Sequence, residues 1–190
     1  FNGNGYSEEW VQEAARRGLP NIATMVEAVD TLTTEKSVKL FERFHIFTKA
    51  ELESRVEILY ETYAKTINIE ALTMIDMASK QIIPAVISYT KELAETVVLV
   101  MKAGLEASVQ RDLLEKVNGH LKEMQDALVK LQQAEAKARA MKPGKEQAFF
   151  YKDEVKTAMD ALRVPADKLE VLVDKKVWPF PTYADLIFEV

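Results

Sequence analysis

From Leu52 to Val100 apolar residues recur mainly at intervals of three, four or seven, through Val56, Leu59, Tyr63, Ile67, Met74, Ala78, Ile82, Val86, Tyr89, Leu93 and Val97. Only a helix, turning every 3.6 residues, gathers such positions onto one face, so this run predicts one long helix or two nearly collinear ones. The sequence Thr48-Lys49-Ala50-Glu51 opens it as a capping box, in which the Thr48 side chain serves the third amide and Glu51 reaches back to Thr48. Pro84 lies inside the run. It lacks a backbone donor and its ring crowds the preceding turn, so a kink or break is expected near residues 80–84.

A helix this long needs a partner to cover its apolar face, and the downstream sequence supplies one. Gly104 permits a turn, after which Val117, Leu121, Met124, Leu128 and Leu131 follow a 4-3-4-3 spacing, the seam of an antiparallel bundle. Pro143-Gly144 punctuates the end of that helix. Ala148, Val155, Ala158, Met159 and Leu162 predict a returning helix ended by Pro165, and a short helix is expected from Asp167 to about Val173. Trp178, Phe180, Tyr183 and Phe188 crowd the last residues, "WPFPTYADLIFEV", and are expected to pack rather than to form one exposed patch.

Upstream, Asn2-Gly3-Asn4-Gly5 is a turn signal, and Ser7 is placed to cap a helix whose first turn holds Glu8 and Glu9 and which stops at Gly18. Ile22, Met25, Val26 and Val29 predict a helix within 21–32, and Val38, Leu40, Phe41 and Phe44 are the expected core residues of another from Thr34 to Phe44. The fold class that follows is all-α: a helical bundle with a long antiparallel hairpin and an extended aromatic C-terminal tail. Two segments are expected, short helices over 1–47 and the long-helix hairpin with its tail over 48–190.

Composition narrows the functional classes. With 25 Lys+Arg against 30 Asp+Glu the formal charge is −5, and no long single-sign block occurs, so neither nucleic acid nor an acidic membrane surface is an expected partner. The absence of cysteine excludes disulfides and thiolate metal sites and fits a reducing compartment. No run reaches the roughly 18 uncharged apolar residues of a membrane span, and the first ten residues lack a signal-peptide pattern. A cytoplasmic location is expected. A first residue of Phe1 rather than methionine reads as a piece of a longer chain.

Groups that could carry chemistry are few. Glu42 and His45 have the i, i+3 spacing used by di-iron bundles, but that site needs a second such pair and two more glutamates, and His120 with Glu123 has the reverse order. Gly3-Asn4-Gly5 precedes a helix, yet Glu8 stands where a dinucleotide fingerprint has its third glycine, and Glu8 with Glu9 would repel a phosphate. Glu70 and Asp76 interrupt an apolar helix without an evident cationic partner, and a solvated or salt-bridged face is the simpler reading. Glu53, Glu57 and Glu61 form an acidic ridge. No catalytic, cofactor-binding or metal-binding residue is assigned. From the residues alone a free-standing helical adaptor or signalling bundle remains an alternative.

One further pattern lies in residues 18–56, "GLPNIATMVEAVDTLTTEKSVKLFERFHIFTKAELESRV". Its leucine-proline step, Val26-Glu27-Ala28-Val29, Leu40-Phe41 and Ile46-Phe47-Thr48 resemble the segment near the carboxyl end of glutamine synthetases. "FNGNGYSEEW", "KTINIEALTMIDMA" and "WPFPTYADLIFEV" resemble the type III branch, which has an extra helical region at that end. One departure is Phe44-His45, where the family carries a glycine. The resemblance implies an enzyme that ligates ammonia to glutamate through a γ-glutamyl phosphate, using ATP and magnesium or manganese, and that assembles as stacked rings of six. It also implies that the metal, nucleotide and glutamate sites lie upstream in a catalytic barrel, so that this segment alone is inactive and has that barrel as its partner.

Overall fold

The computed structural model describes residues 2–188, apart from the side chains of Tyr183 and Ala184. Two compact units divide the chain, Phe1–Tyr63 and Ala64–Val190.

In the first unit, helix α1 spans Glu8–Arg16, α2 Met25–Val29 and α3 Glu35–Arg43, and α4, Lys49–Met77, begins there. Ser7 holds the N-cap position of α1, but its hydroxyl donates to the Asn4 carbonyl at 2.8 Å instead of accepting from the helix. Thr24 caps α2 by accepting from the Glu27 amide at 3.4 Å, so that helix starts later than the expected 21–32 span, and a 3-10 turn, Asp30–Thr33, completes it. Val26, Val29 and Val38 are buried as expected, whereas Ile22, Leu40 and Phe44 are exposed, the last two at 52% and 61%. Helical spacing identifies a stripe but not what covers it.

The capping box forms as the sequence predicts. The Thr48 amide donates to Glu51 Oε2 at 2.7 Å, and the Glu51 amide donates to Thr48 Oγ1 at 3.3 Å. From it α4 runs to Met77, and a π turn, Ala78–Ile82, joins it directly to α5, Ile83–Lys102. Pro84 therefore does not break the helix. It stands in the first turn of α5, where the Ile83 amide donates to the carbonyl five residues back, of Ala78. The wider turn leaves room for a ring that would meet the carbonyl four residues back in α geometry. Ser79 Oγ donates to the Ile75 carbonyl at 2.6 Å and so satisfies an acceptor beside the turn.

In the second unit α6, Ser108–Arg139, packs against α5 on one side and against α8, Lys156–Leu172, on the other. Val117, Met124, Leu128 and Leu131 of α6 meet a core that includes Val86, Leu93 and Val97 from α5 and Met159, Leu162 and Leu169 from α8. Each fully buried leucine adds about 1.5–3 kcal/mol over the same side chain left in water. Gly144, in left-handed geometry at φ 134°, opens α7, Lys145–Phe150, and a second π turn, Tyr151–Val155, leads into α8.

Pro165 does not end that helix, contrary to expectation, and the separate helix from Asp167 merges into α8. The apolar stripe explains why. Val155, Met159, Leu162, Pro165, Leu169 and Val173 are all buried, so the stripe continues through the proline. A proline inside a helix costs about 3 kcal/mol, which burial of several such side chains outweighs.

The C-terminal segment also differs from an extended aromatic tail. Residues Tyr183–Phe188 form helix α9, started by a second capping box in which the Thr182 amide donates to Asp185 Oδ2 at 2.8 Å and the Asp185 amide donates to Thr182 Oγ1 at 3.3 Å. Trp178 is buried, Phe180 is half-buried, and Phe188 is 79% exposed. The Tyr183 side chain lies outside the described residues.

Candidate functional site

The loop after α3 gathers the groups nearest to a site in the first unit. Glu42, His45, Ile46, Phe47, Thr48 and Glu51 line a shallow cleft. The chain there ends α3 with two bonds: the His45 amide to the Glu42 carbonyl and the Ile46 amide to the Phe41 carbonyl, both 3.0 Å. That paired closure requires left-handed geometry at the residue between, and His45 has φ 54°. Gly18 after α1 and Gly104 after α5 sit in the same geometry with the same bonds, so His45 occupies a glycine position.

Glu51 in this cleft is committed to the capping box. Accepting from the Thr48 amide and, at 2.9 Å, from its hydroxyl holds the Glu51 carboxyl below its ordinary pKa. The second histidine, His120 in α6, contacts Glu123 through Nδ1 at 2.9 Å, with Lys168 Nζ 3.8 Å from that carboxylate. His120 first, and then the Lys168 charge, lower the Glu123 carboxyl. Among the described residues no group of three or more His, Cys, Asp or Glu side chains is placed to hold a metal ion.

Gly3-Asn4-Gly5 makes a turn in which Asn4 Oδ1 accepts from the Tyr6 amide at 3.0 Å, and the acidic first turn of α1 follows. Neither nucleotide phosphates nor a divalent ion fits these residues. Further along α1, Glu13 bridges Arg16 at 2.7 Å and Arg17 at 2.6 Å, which lowers its carboxyl to about 2. Glu70 is exposed, and Asp76 pairs with Lys80. Glu53, in the acidic ridge, lies 3.5 Å from Lys49.

Three buried polar groups escape a reading of residue types along the sequence. In the first unit the Tyr60 hydroxyl donates to the Asp30 carboxylate, tying α4 to the 3-10 turn. Burial first, and then the Asp30 carboxylate, push this phenol up. In the second unit the Tyr151 hydroxyl donates to Asn68 Oδ1 at 3.2 Å, and burial with the nearby Glu135 charge raises that phenol. Glu135 itself is only 4% exposed, one of its oxygens has no hydrogen-bond donor, and Arg139 Nε stands 3.5 Å away. Leu128, Leu131, Glu135 and Ala138 share the buried face of α6, which places this carboxylate in line with the seam.

Two apolar clefts lie elsewhere among the described residues. One, of about 250 Å³, is lined by Met77, Ile82, Trp178, Phe180, Pro181 and Leu186 among others, and the other by Leu32, Phe41, Phe47, Leu52 and Ile58. Neither brings together a nucleophile, a base and an oxyanion donor, the minimum for acyl or phosphoryl transfer. Apolar surface is more prominent than chemistry. Helix α1 buries no residue at all, and Tyr6, Val11, Leu40, Phe44 and Ile46 of the first unit are exposed. Among the described residues no helix is long and apolar enough to cross a membrane.

Comparison with known proteins gives consistent matches. A family profile for the glutamine synthetase C-terminal domain matches residues 1–101. The chain is 39% identical over 193 residues to a glutamine synthetase of Butyrivibrio fibrisolvens, covering 100% of this chain and 27% of the relative. It is 35% identical to a type-3 glutamine synthetase of Dictyostelium discoideum, covering 99% of this chain and 26% of the relative. A glutamine synthetase of Bacteroides fragilis (strain YCH46) is 31% identical, with 99% of this chain and 27% of the relative covered. The chain thus spans about a quarter of the length of these relatives.

Proposed function

This chain belongs to the glutamine synthetase family through its C-terminal domain, and on that premise we propose that it is the non-catalytic helical region of a type III enzyme. Its role is to support the fold and assembly of a parent chain that makes glutamine from glutamate, ammonia and ATP. Residues 1–47 continue from the catalytic domain of that parent, and the hairpin and tail pack around it or between subunits of a ring-shaped oligomer in the cytoplasm.

The observation that carries this reading is the uncovered apolar surface of the first unit. A helix such as α1, amphipathic yet without a fully buried residue, gains further stability when another surface covers it. Exposed Leu40, Phe44 and Ile46 around the end of α3 present the same need. ATP with magnesium or manganese would supply phosphoryl transfer in the parent's catalytic domain, and no step of the ligation is placed on the residues of this chain.

Truncation of the parent enzyme at Trp178 tests the role in assembly. Loss of Trp178 from the core and of the capped helix α9 is expected to reduce ring assembly or solubility, read by mass measurement of the purified particle. A truncated enzyme with unchanged ring size and unchanged thermal stability contradicts it.

A further inference from the structure

Asparagine precedes glycine three times in the chain, at 2–3, 4–5 and 118–119, and the fold sets two of these pairs in opposite environments. Asn4 is exposed in the turn ahead of α1, whereas Asn118 lies in the interior of α6. Asn4 Oδ1 accepts from the Tyr6 amide at 3.0 Å, which folds the side chain back over the Gly5 peptide and closes a ring that contains the Gly5 nitrogen. Among the described residues the Gly5 amide donates no hydrogen bond. Nothing stands within 4 Å of the place a Gly5 side chain would occupy.

We propose that Asn4 is a site of self-modification, at which the chain converts this residue through a succinimide to aspartate or isoaspartate. The Gly5 nitrogen attacks Asn4 Cγ: the new N–Cγ bond forms, the Cγ–Nδ2 bond breaks, and the Gly5 amide proton leaves with Nδ2 as ammonia. Water then opens the ring, at Cγ to give aspartate or at the main-chain carbonyl to give isoaspartate. The reaction needs no partner and stands apart from the role in assembly.

Three features of the turn favour the first step. The closed ring keeps the attacking nitrogen and Cγ together, so part of the entropy of cyclisation is already lost. The Tyr6 N–H draws charge from Cγ through Oδ1 and stabilises the oxyanion that develops there, as one donor of an oxyanion hole does. Glycine, lacking Cβ, leaves the approach uncrowded. At Asn118 the same dipeptide is held in α geometry, where each amide donates to the carbonyl four residues back, so reaction there waits on local unfolding of α6.

The product alters the entry to α1. The Asn4 carbonyl accepts from the Ser7 amide at 3.1 Å and from its hydroxyl at 2.8 Å. Isoaspartate lengthens the main chain by a methylene and takes that carbonyl out of it, which loosens the start of a helix that has no buried residue to hold it.

Full parent enzyme held in warm, mildly alkaline buffer tests the proposal, with peptide mass spectrometry resolving Asn2, Asn4 and Asn118 and an isoaspartyl methyltransferase labelling isoaspartate. Conversion at position 4 is expected to run about 100-fold or more ahead of position 118 in the folded enzyme, and the two rates should converge in urea, chiefly by a rise at 118. Gly5→Ala, which the open space and ordinary backbone geometry admit, should slow conversion at 4 about ten-fold or more with α1 intact by amide exchange. Equal conversion at 4 and 118 in the folded enzyme, slower conversion at 4 folded than in urea, or an unchanged rate in Gly5→Ala overturns the proposal.

Discussion

Tyr60→Phe separates one buried hydrogen bond from everything else that Tyr60 does. The ring is 3% exposed in the core of the first unit, and phenylalanine keeps that burial and volume. What disappears is the bond from the hydroxyl to the Asp30 carboxylate. Hydrogen bonds to charged groups contribute about 1.5–3 kcal/mol, and because half-buried Asp30 can recover water, a loss near the lower end, about 1.5 kcal/mol, is expected. Urea unfolding followed by circular dichroism measures it, and amide exchange should show faster opening of the 3-10 turn, Asp30–Thr33. Alkaline pH adds a second readout. The folded phenol is raised above the ordinary 10.0, so the unfolded chain gives up its proton first, and the stability due to Tyr60 is present below pH 10 and lost as pH rises above it. Wild type should therefore lose more stability than the variant above pH 10. A variant within about 0.3 kcal/mol of wild type, with the same alkaline slope, refutes the reasoning.

His45→Gly should stabilise the first unit by up to about 1 kcal/mol, since glycine relieves left-handed strain of about 1–2 kcal/mol at a modest cost in chain entropy; a lower urea midpoint would contradict this. Glu135→Met should be neutral or stabilising by about 1–4 kcal/mol, because an apolar side chain replaces a buried carboxylate whose ion-pair partner, Arg139, is mostly exposed and can return to water; strong destabilisation would show that the pair outweighs the cost of burying the carboxylate. Asp185→Asn should loosen α9, whose carboxyl Lys175 and Thr182 hold well below 3.8. This lowered carboxyl contributes order that is present above about pH 4 and lost as pH falls, so acid should release α9 in wild type while changing the variant little, as amide exchange would show.

Features encoded within a few residues are legible in the sequence. Thr48 and Glu51 form their capping box because both partners lie within one turn, and the α6 seam is buried because its spacing fixes one face. Pro165 is not legible as an interior helix residue from a local rule about proline, because what keeps the helix going is the apolar stripe that continues on both sides into a packed core. Pro84 was half legible: its perturbation falls at 78–82, but the helix absorbs it as a π turn and does not break. Tyr60 with Asp30 and Tyr151 with Asn68 pair residues 30 and 83 positions apart, a separation that no periodicity encodes. Leu40 and Phe44 share helical spacing with buried residues yet stay exposed, because spacing names a face without naming its cover. The candidate groups show the same limit: Glu42 and His45 do reach one cleft, where the second carboxylate, Glu51, is engaged as a helix cap.

Glutamine formation by the 190-residue chain as the only protein, supplied with glutamate, ammonia, ATP and magnesium, tests most directly whether these helices are scaffold. No glutamine and no ATP consumption are expected, while the parent enzyme in the same assay forms glutamine. Turnover by the chain alone contradicts the account.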